Sequence, residues 1–400
     1  MKIFEIGTGY TSIPAKMGAA TEIVVAELTT SFQRLGCDVT IVDIKDKHRM
    51  PNSLPIIETY MPQFFSSTDT KLGFIHKLKR VLYSVSLTYK LHSIIRKNRD
   101  KRIVLHFHNQ YNLFFFFKLT NKSMLKSVTI CYTVHSYIWF GKWEDVKEAI
   151  SKRYFQEVYC CQHADKVFVL NEIVAKMLRE HYNVDANHII NVINGVNINT
   201  YNSETADKTI VNKWKNMYDL HGKRIVFQVG SVCERKNQLG TLNLLLPVMK
   251  NEKNLVFMYA GGVIDSEYAL SIQNLAEREG LKNQVIYVGE VAPGKQLNEL
   301  YALSDVAVMN SKSEAFALVI AEALSARKPI FICNEIMRSL FFLEKKEGEG
   351  IIRIKSSFEE DLHRILTDKR YYKEMQERGR SFIVNEFSWD VAAKIYLDNF

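Results

Sequence analysis

The sequence predicts an α/β protein made of two domains, each built on a parallel β-sheet. Three observations lead to this fold class. Apolar segments of strand length alternate with amphipathic segments of helical length, which is the pattern of repeated βαβ units. A glycine-containing turn follows the predicted strand Lys2–Ile6, and another follows Arg224–Val229, so the same plan begins twice. The length of 400 residues also suits two domains of ordinary size.

Composition narrows the class of protein. Apolar residues make up 47% and charged residues 24% of the chain, as in ordinary globular proteins. The six cysteines are scattered through apolar segments, which favours reduced thiols over a disulfide framework. Cys160, Cys161 and His163 lack the spacing of a zinc site, so we predict no metal. The N-terminal segment lacks the apolar stretch of a signal peptide, and no run reaches the ~20 apolar residues of a membrane span. We therefore expect a cytoplasmic protein.

The first domain opens with a βαβ unit. Strand Lys2–Ile6 is followed by a loop rich in glycine and turn residues (7–18), a helix (19–35) and a second strand (38–43). A loop after the first strand of such a unit usually faces a ligand at the carboxyl edge of the sheet. Because the loop is not G-x-G-x-x-G, we do not interpret it as a dinucleotide-binding fingerprint.

Two histidines follow later strands of the first domain. His108 comes directly after the predicted strand Ile103–Phe107, and His135 comes directly after a strand at 128–134. The carboxyl ends of parallel strands meet at one edge of a sheet, where α/β proteins bind their ligands. We therefore expect the two histidines to lie at the same edge.

A basic segment lies between these strands. Residues 71–126 contain thirteen Lys and Arg residues against one acid, Asp100, a net charge of +12 in a chain of net charge +9. Within it, residues 72–96 predict an amphipathic helix with five apolar side chains on one face: Ile75, Leu78, Leu82, Val85 and Tyr89. Such a helix could rest on an anionic membrane surface, or it could pack on the core with its basic face in solvent. No nucleic-acid-binding motif accompanies the charge, so we predict no nucleic-acid partner.

The second domain begins after a polar linker with a helix (201–222) and contains strands at 224–229, 255–262, 285–289, 305–309 and 328–333. The turn after its first strand, GSVCERKN, places the cations Arg235 and Lys236 at a strand end. That is where the first domain has its glycine-rich loop. A loop in that position usually faces a ligand.

The most informative segment is NSKSEAFALVIAEALSARKP, residues 310–329. A polar turn follows the strand, and an apolar helix (317–326) stops before Pro329. The N–H groups of Phe316, Ala317 and Leu318 at this helix start would then bind an anion such as phosphate. Glu314 and Glu322 bracket this helix start, and carboxylates beside an anion site are suited to accept hydrogen bonds from hydroxyl groups. Hydroxyl-bearing groups on both sides of a diphosphate describe a nucleotide-sugar.

These residues resemble the E-x7-E segment of the family 4 retaining glycosyltransferases. The resemblance implies that Glu314 contacts the transferred sugar and that Glu322 contacts the ribose. Ala315 and Ala317 stand where the family usually has glycine.

Five further segments carry the resemblance. IPAKMGAATE is similar to the family's P-P-x-x-G-G-x-E loop, which implies that Gly18 lies near the donor diphosphate, and VHS implies that His135 approaches the transferred sugar. Lys236 matches the lysine that neutralises the diphosphate, whereas the family's arginine falls on Ser231 and Arg235 is the candidate replacement. VINGVN resembles the end of the family's first domain, and the segment from Phe387 resembles its terminal helix. His108 is a weaker candidate, for the acceptor.

The fold implied is GT-B, with two Rossmann-like domains facing each other across a cleft. Residues 1–200 would form the acceptor-side domain, 201–384 the nucleotide-sugar domain, and 385–400 a helix that packs back on the first. The implied activity is metal-independent, retaining transfer of a hexose-type sugar, with a UDP-sugar donor favoured, no cofactor, and a glycolipid, oligosaccharide or surface polysaccharide as acceptor. The protein would be cytoplasmic, and residues 71–126 could hold it peripherally on the inner face of the membrane.

Two alternatives remain open at this point. One is a GT-B relative that binds a sugar or a protein partner without catalysis, which Ser231 and the poor match at residues 334–339 allow. The other is a two-domain binding protein of the periplasmic type. The sequence does not identify the donor sugar, the acceptor, the linkage or the oligomeric state.

Overall fold

The computed structural model describes residues 1–15, 19–61, 74–136, 139, 143–314, 316, 318–340, 343 and 345–400. The polypeptide forms two compact units. One comprises Met1–Gly195 together with Trp389–Phe400, and the other comprises Val196–Ser388. The predicted boundaries lie after residues 200 and 384.

The first unit is built on a parallel sheet. Among the described residues the sheet has seven strands in the order β3-β2-β1-β4-β5-β6-β7. The strands are β1 (Lys2–Ile6), β2 (Asp38–Ile44), β3 (Ile56–Thr59), β4 (Ile103–Phe107), β5 (Thr129–Val134), β6 (Lys166–Val169) and β7 (Ile189–Asn191). The order reverses between β1 and β4, and such a switch point is where sheets of this kind place their ligand sites.

Helices cover the strands of this unit. They are α1 (Ala20–Arg34), α2 (Phe74–Lys97), α3 (Gln110–Leu119), α4 (Lys122–Leu125), α5 (Trp143–Arg153), α6 (Phe155–His163), α7 (Glu172–Tyr182) and, from the end of the chain, α16 (Trp389–Leu397). The returning helix α16 packs against α1, and Arg102 Nη2 donates a hydrogen bond to the carbonyl oxygen of Phe400 at 2.6 Å. The predicted return of the terminal helix to the first domain is confirmed.

The second unit repeats the plan. In the part of the chain that the structure describes, its sheet has six parallel strands in the order β10-β9-β8-β11-β12-β13. They are β8 (Arg224–Val229), β9 (Leu255–Ala260), β10 (Val285–Tyr287), β11 (Val306–Met309), β12 (Ile330–Ile332) and β13 (Ile351–Arg353). The helices are α8 (Lys208–Met217), α9 (Gln238–Asn251), α10 (Ser266–Arg278), α11 (Lys295–Leu303), α12 (Leu318–Ser325), α13 (Asn334–Ser339), α14 (Phe358–Thr367) and α15 (Lys369–Glu386). The two Rossmann-like sheets confirm the predicted fold class.

The sequence pattern misses three short strands, β3, β7 and β13. Each has only three or four residues. That length is too short to show strand periodicity, so pairing with a neighbouring strand decides their structure. Within the described ranges, no helix has both the length and the apolar character needed to span a bilayer.

Gly350 allows close packing around α12, the helix of the predicted anion site. Its backbone is left-handed, with φ of +73°. A Cβ atom there would lie 2.7 Å from Gly379 Cα in α15 and 2.7 Å from Leu324 Cδ2 in α12. Gly348 is also left-handed, with φ of +95°, but a Cβ there would have no described atom within 4 Å.

These two glycines make a matched test of the packing. Gly348→Ala should lower the free energy of unfolding by about 1–2 kcal/mol, because only the left-handed backbone at this position disfavours a side chain. Gly350→Ala should cost roughly 1–3 kcal/mol more, because α12 and α15 must also move apart. Urea unfolding of both variants measures the difference. Equal losses would contradict the close packing of the two helices at Gly350.

Candidate functional site

In the second unit, two loops meet at the switch point between β8 and β11. The loop after β8 carries a short 3-10 turn, Glu234–Lys236, and the loop after β11 carries Ser311 to Glu314. The N–H group of Lys312 donates to the carbonyl oxygen of Arg235 at 2.8 Å, and Arg235 Nη1 donates to the carbonyl oxygen of Ser313 at 2.9 Å. The two loops are therefore held together by one backbone–backbone hydrogen bond and by one hydrogen bond from the Arg235 side chain.

Both cations of this site contact one carboxylate. Lys236 Nζ lies 2.5 Å from Glu314 Oε1, and Arg235 Nη1 lies 3.3 Å from Glu314 Oε2. The Glu314 side chain is 9% exposed and that of Lys236 is 14% exposed. Burial raises the pKa of Glu314, but the charges of Lys236 and then Arg235 outweigh it, so the pKa lies below its ordinary value. The site therefore holds a carboxylate between two cations at the end of the sheet.

Gly230 brings Lys236 into this position. Its φ of +149° is unfavourable for residues with a Cβ. A Cβ there would also approach Lys236 Cδ to 3.2 Å, so the lysine stem packs directly against the glycine backbone. Gln228 Nε2 donates a hydrogen bond to the carbonyl oxygen of Lys236 at 2.7 Å and so stabilises the end of the 3-10 turn.

Glu322 lies in α12 and is partly buried. Burial raises the pKa of its carboxyl group to about 7, and hydrogen bonds with the hydroxyl groups of Tyr201 and Tyr301 offset this only in part. The carboxyl group is thus held near its titration point at neutral pH, beside two hydroxyl groups. This is the residue for which the family resemblance implies a ribose contact.

The remaining predicted donor-site residues are placed as follows. Phe316 is described and 3% exposed, and Leu318 is the first residue of α12. Ala317 and Gly18 lie outside the described residues. Ser231, where the family has arginine, contributes its carbonyl oxygen to Gln238 Nε2 at 3.0 Å.

In the first unit, His108 and His135 come together as expected. His108 Nδ1 lies 2.9 Å from His135 Nε2. His108 Nε2 lies 2.6 Å from Glu5 Oε2, and the other oxygen of Glu5 lies 2.9 Å from His106 Nδ1. The prediction that the two histidines share one edge is confirmed, and they belong to a larger cluster of Glu5 and three histidines.

Burial shapes the charges in this cluster. It raises the pKa of Glu5, but His106 and His108 outweigh it and bring the pKa to about 2. Burial and the neighbouring His106 ring lower the pKa of His108 to about 4, and burial lowers that of His135 well below its ordinary value. The cluster thus combines an ionised carboxylate with neutral imidazoles at His108 and His135.

Sequence reasoning missed Glu5 and His106, although a signal existed. Glu5 is the one charged residue inside the apolar strand segment IFEI, and His106 and His108 have the two-residue spacing of side chains on one face of a strand. Parallel pairing then sets Glu5 opposite His106.

Three donor atoms of Glu5, His106 and His108 lie within 4.8 Å of one another, close enough in principle to approach one metal ion. In the structure, both imidazole nitrogens that face Glu5 are within hydrogen-bond distance of its carboxylate. Hydrogen bonding thus accounts for the cluster within the described residues.

Comparison with known proteins defines the class. The solved structure of HepE from Anabaena, in complex with UDP and glucose, superposes with a TM-score of 0.71 at 13% identity, covering 100% of this chain and 98% of that chain. The catalytic domain of starch synthase IV from Arabidopsis thaliana, bound to ADP and acarbose, gives a TM-score of 0.75 at 13% identity, covering 100% of this chain and 98% of that chain. At these identities the likeness establishes the fold, which is that of the GT-B glycosyltransferases.

Sequence comparison gives the family. Residues 21–200 match the model described as Glycosyltransferase Family 4, and residues 212–382 match the model described as Glycosyl transferases group 1. The chain therefore belongs to the family 4 glycosyltransferases.

Individual relatives are distant. An uncharacterized glycosyltransferase of Methanocaldococcus jannaschii is 23% identical over 55% of this chain and 57% of its own length. The lipopolysaccharide 1,2-N-acetylglucosaminetransferase of Salmonella typhimurium is 26% identical over 32% of this chain and 34% of its own length. The matches thus span about a third to somewhat over half of these two relatives.

The raised pKa of Glu322 predicts a pH-dependent stability. Between about pH 4.5 and 7 the folded protein keeps the proton of Glu322, whereas the unfolded chain has released it. The contribution of Glu322 to the free energy of unfolding is therefore full below pH 4.5 and is lost as the pH rises through 7. Glu322→Gln removes the titration. Relative to the unsubstituted protein, the variant should gain on the order of 1–3 kcal/mol in unfolding free energy between pH 5 and pH 8. Urea unfolding of both proteins at pH 5 and pH 8 measures this gain. If the variant and the unsubstituted protein differ by the same unfolding free energy at both pH values, the raised pKa is contradicted.

Proposed function

We propose that this chain transfers a hexose-type sugar from a nucleoside-diphosphate donor to a glycolipid, oligosaccharide or surface-polysaccharide acceptor. The observation that carries the proposal is the cluster in which Lys236 and Arg235 meet Glu314 at the switch point of the second sheet. A UDP-sugar is the favoured donor. HepE, which shares the fold, has been solved with UDP and glucose.

The cluster suits departure of a diphosphate. Breaking the bond between the sugar and the diphosphate places negative charge on the leaving phosphate oxygens. Lys236 and Arg235, held in place by the two loops, would stabilise that charge without reorganising. An arginine can contact two phosphate oxygens at once, whereas lysine acts as a compact charge.

We propose two roles for the Glu314 carboxylate. Its carboxylate keeps the two cations in position through the contacts described above. When phosphate oxygens share those cations, Glu314 can accept hydrogen bonds from hydroxyl groups of the sugar. Glu322 would hold the ribose hydroxyls, and the N–H groups at Phe316, Ala317 and Leu318 would bind phosphate.

We further propose that transfer retains the anomeric configuration and needs no metal. Two cationic side chains at the leaving group supply charge that a divalent ion supplies in other phosphate sites. Retention would follow from attack on the same face that the diphosphate leaves. Proton NMR of the product's anomeric signal distinguishes retention from inversion.

The experiment that tests the donor site is thermal unfolding with UDP, GDP, ADP and CMP in the presence of EDTA. We expect one nucleotide to stabilise the protein by about 2.7 kcal/mol at 100 times its dissociation constant. Glu322→Ala should abolish that shift, because it removes the proposed ribose contact. Glu180→Ala is the matched control, since Glu180 has an exposed side chain and contacts Lys176 only loosely, at 3.9 Å. Absence of a shift with every nucleotide would contradict the proposed donor site.

A second candidate is a GT-B relative that binds without catalysis. Ser231 stands where the family has an arginine, and this observation favours the alternative. Release of the nucleoside diphosphate from its sugar donor separates the two. A catalyst releases it in the presence of acceptor, whereas a binding protein is stabilised by the nucleotide and releases nothing.

We also propose that α2 rests on the cytoplasmic face of an anionic membrane. Tyr83, Leu87 and Leu91 form its core-facing side and are 2%, 0% and 0% exposed. The apolar stripe anticipated from the sequence faces elsewhere. Leu78, Leu82 and Tyr89 are 43%, 38% and 66% exposed.

The exposed stripe supports the membrane interpretation of this helix. The helix does pack on the core, but through other residues than the expected five. Val85 is partly buried, and the side chain of Ile75 lies outside the described residues. An exposed apolar stripe on a segment of net charge +12 fits a membrane with anionic lipids, because apolar contact and charge attraction act together.

Vesicle sedimentation tests the membrane contact. Leu78→Gln with Leu82→Gln should lower binding to vesicles of phosphatidylglycerol and phosphatidylcholine about tenfold, and added salt should weaken the binding of the unsubstituted protein. The matched control is Ile264→Gln with Leu270→Gln, two side chains of the second unit that are 73% and 54% exposed. Equal binding by both double variants would contradict the proposal.

A further inference from the structure

The Glu5 cluster is ordered by strand register. Glu5 in β1 pairs with His106 in β4, and His108 follows two residues later on the same face. Both imidazoles therefore reach one carboxylate, His106 through Nδ1 and His108 through Nε2. Glu5 is 0% exposed, so its charge depends on these contacts rather than on water.

The carboxylate determines where the protons lie. An ionised carboxylate has no proton to give, so each imidazole nitrogen that faces Glu5 must be the donor. His108 Nε2 therefore carries a proton. A neutral imidazole has only one, which leaves His108 Nδ1 as an acceptor.

The same logic extends to His135. His135 Nε2 lies 2.9 Å from His108 Nδ1, and the planes of the two rings are inclined by 29°. Because His108 Nδ1 accepts, His135 Nε2 must donate. The remaining ring nitrogen of His135, Nδ1, is then unprotonated.

We infer that Glu5 and His108 are positioning residues which hold His135 in the Nε2–H tautomer, so that His135 Nδ1 accepts a hydrogen bond from a substrate hydroxyl group. The identity of that hydroxyl as a sugar hydroxyl rests on the proposed function. The tautomer itself does not. A His135 that carried a proton on Nδ1, as the other tautomer or as the imidazolium, would present a donor to the substrate instead.

The cluster has a second arm, which supplies a control. His106 Nε2 lies 2.7 Å from Thr133 Oγ1, and Thr133 Oγ1 lies 3.3 Å from the hydroxyl oxygen of Tyr396 in α16. This second arm starts at the other carboxylate oxygen of Glu5, Oε1, and does not include His135. Loss of the Thr133 hydroxyl should therefore leave the tautomer of His135 unchanged.

The test is long-range proton–nitrogen NMR of the full chain labelled with 15N-histidine, which distinguishes protonated from unprotonated ring nitrogens. His135→Asn identifies the signals of His135 by their loss. We expect Nδ1 of His135 to be unprotonated at pH 7.5, both in the unsubstituted protein and in Thr133→Val. A proton on Nδ1 of His135 in the unsubstituted protein would overturn the inference, without need of any destabilised variant.

Two substitutions of His108 test the dependence. His108→Gln keeps a carbonyl oxygen that can accept from His135 Nε2 and should preserve the tautomer. His108→Leu removes the acceptor and should give mixed tautomers. Unchanged tautomers in His108→Leu would overturn the positioning role. Elemental analysis is a further check, because a stoichiometric metal that Glu5→Ala removes would replace these protons and contradict the inference.

Kinetics separate this inference from the proposed function. If the chain is a glycosyltransferase, His108→Leu should lower kcat at least about tenfold, while the thermal shift by the free nucleotide stays the same. His108→Gln should restore much of kcat. Should no nucleotide-sugar be turned over by the unsubstituted protein, the proposed function fails, whereas the NMR result still decides the tautomer.

Discussion

The second unit depends on a buried carboxylate that must be paired. Glu314 is nearly inaccessible to water, and an unpaired charge there would be costly, so the fold supplies Lys236 and Arg235 as partners. Those partners come from a different strand end, and Arg235 hydrogen-bonds to the loop that carries Glu314 through both its backbone carbonyl and its side chain. The ion pairs therefore align two strand ends and, in doing so, gather positive charge at one place. A ligand with phosphate groups would meet cations that are already in position.

The first unit solves the same problem with a different partner. Glu5 is also a buried carboxylate at the switch point of a parallel sheet, but it is balanced by two histidines rather than by permanent cations. A neutral imidazole has one donor and one acceptor nitrogen, so the partner of one nitrogen determines whether the other nitrogen donates or accepts. The result is an oriented His135 at a strand end, without a fixed positive charge. The two units thus use one topological position for different chemistry, charge in one and hydrogen-bond direction in the other.

Sequence reasoning reached the fold class, the principal strands and the shared sheet edge of His108 and His135, because strands show local patterns and parallel strands end at one edge. The parallel strand ends brought the histidines together as expected. It did not reach Glu5 and His106, because their meeting depends on strand register. It also could not choose the exposed side of α2, where the stripe Leu78, Leu82 and Tyr89 has helical spacing but faces away from the core. Apolar periodicity shows that a helix has an apolar face, and tertiary packing decides which face is buried. The roles of Lys236, Glu314 and Glu322 toward a donor rest on the family resemblance and on the proposal built from this geometry.

The central question is whether the cations at Glu314 bind a diphosphate. Isothermal titration calorimetry would compare the affinity for the nucleoside diphosphate with the affinity for its parent nucleoside, in the unsubstituted protein and in Lys236→Met. We expect the diphosphate to bind at least about tenfold more tightly than the nucleoside, and Lys236→Met to remove most of this difference, since a charged hydrogen bond contributes roughly 1.5–3 kcal/mol. The same ratio of affinities in both proteins would show that the diphosphate is bound elsewhere and would contradict the proposed donor site.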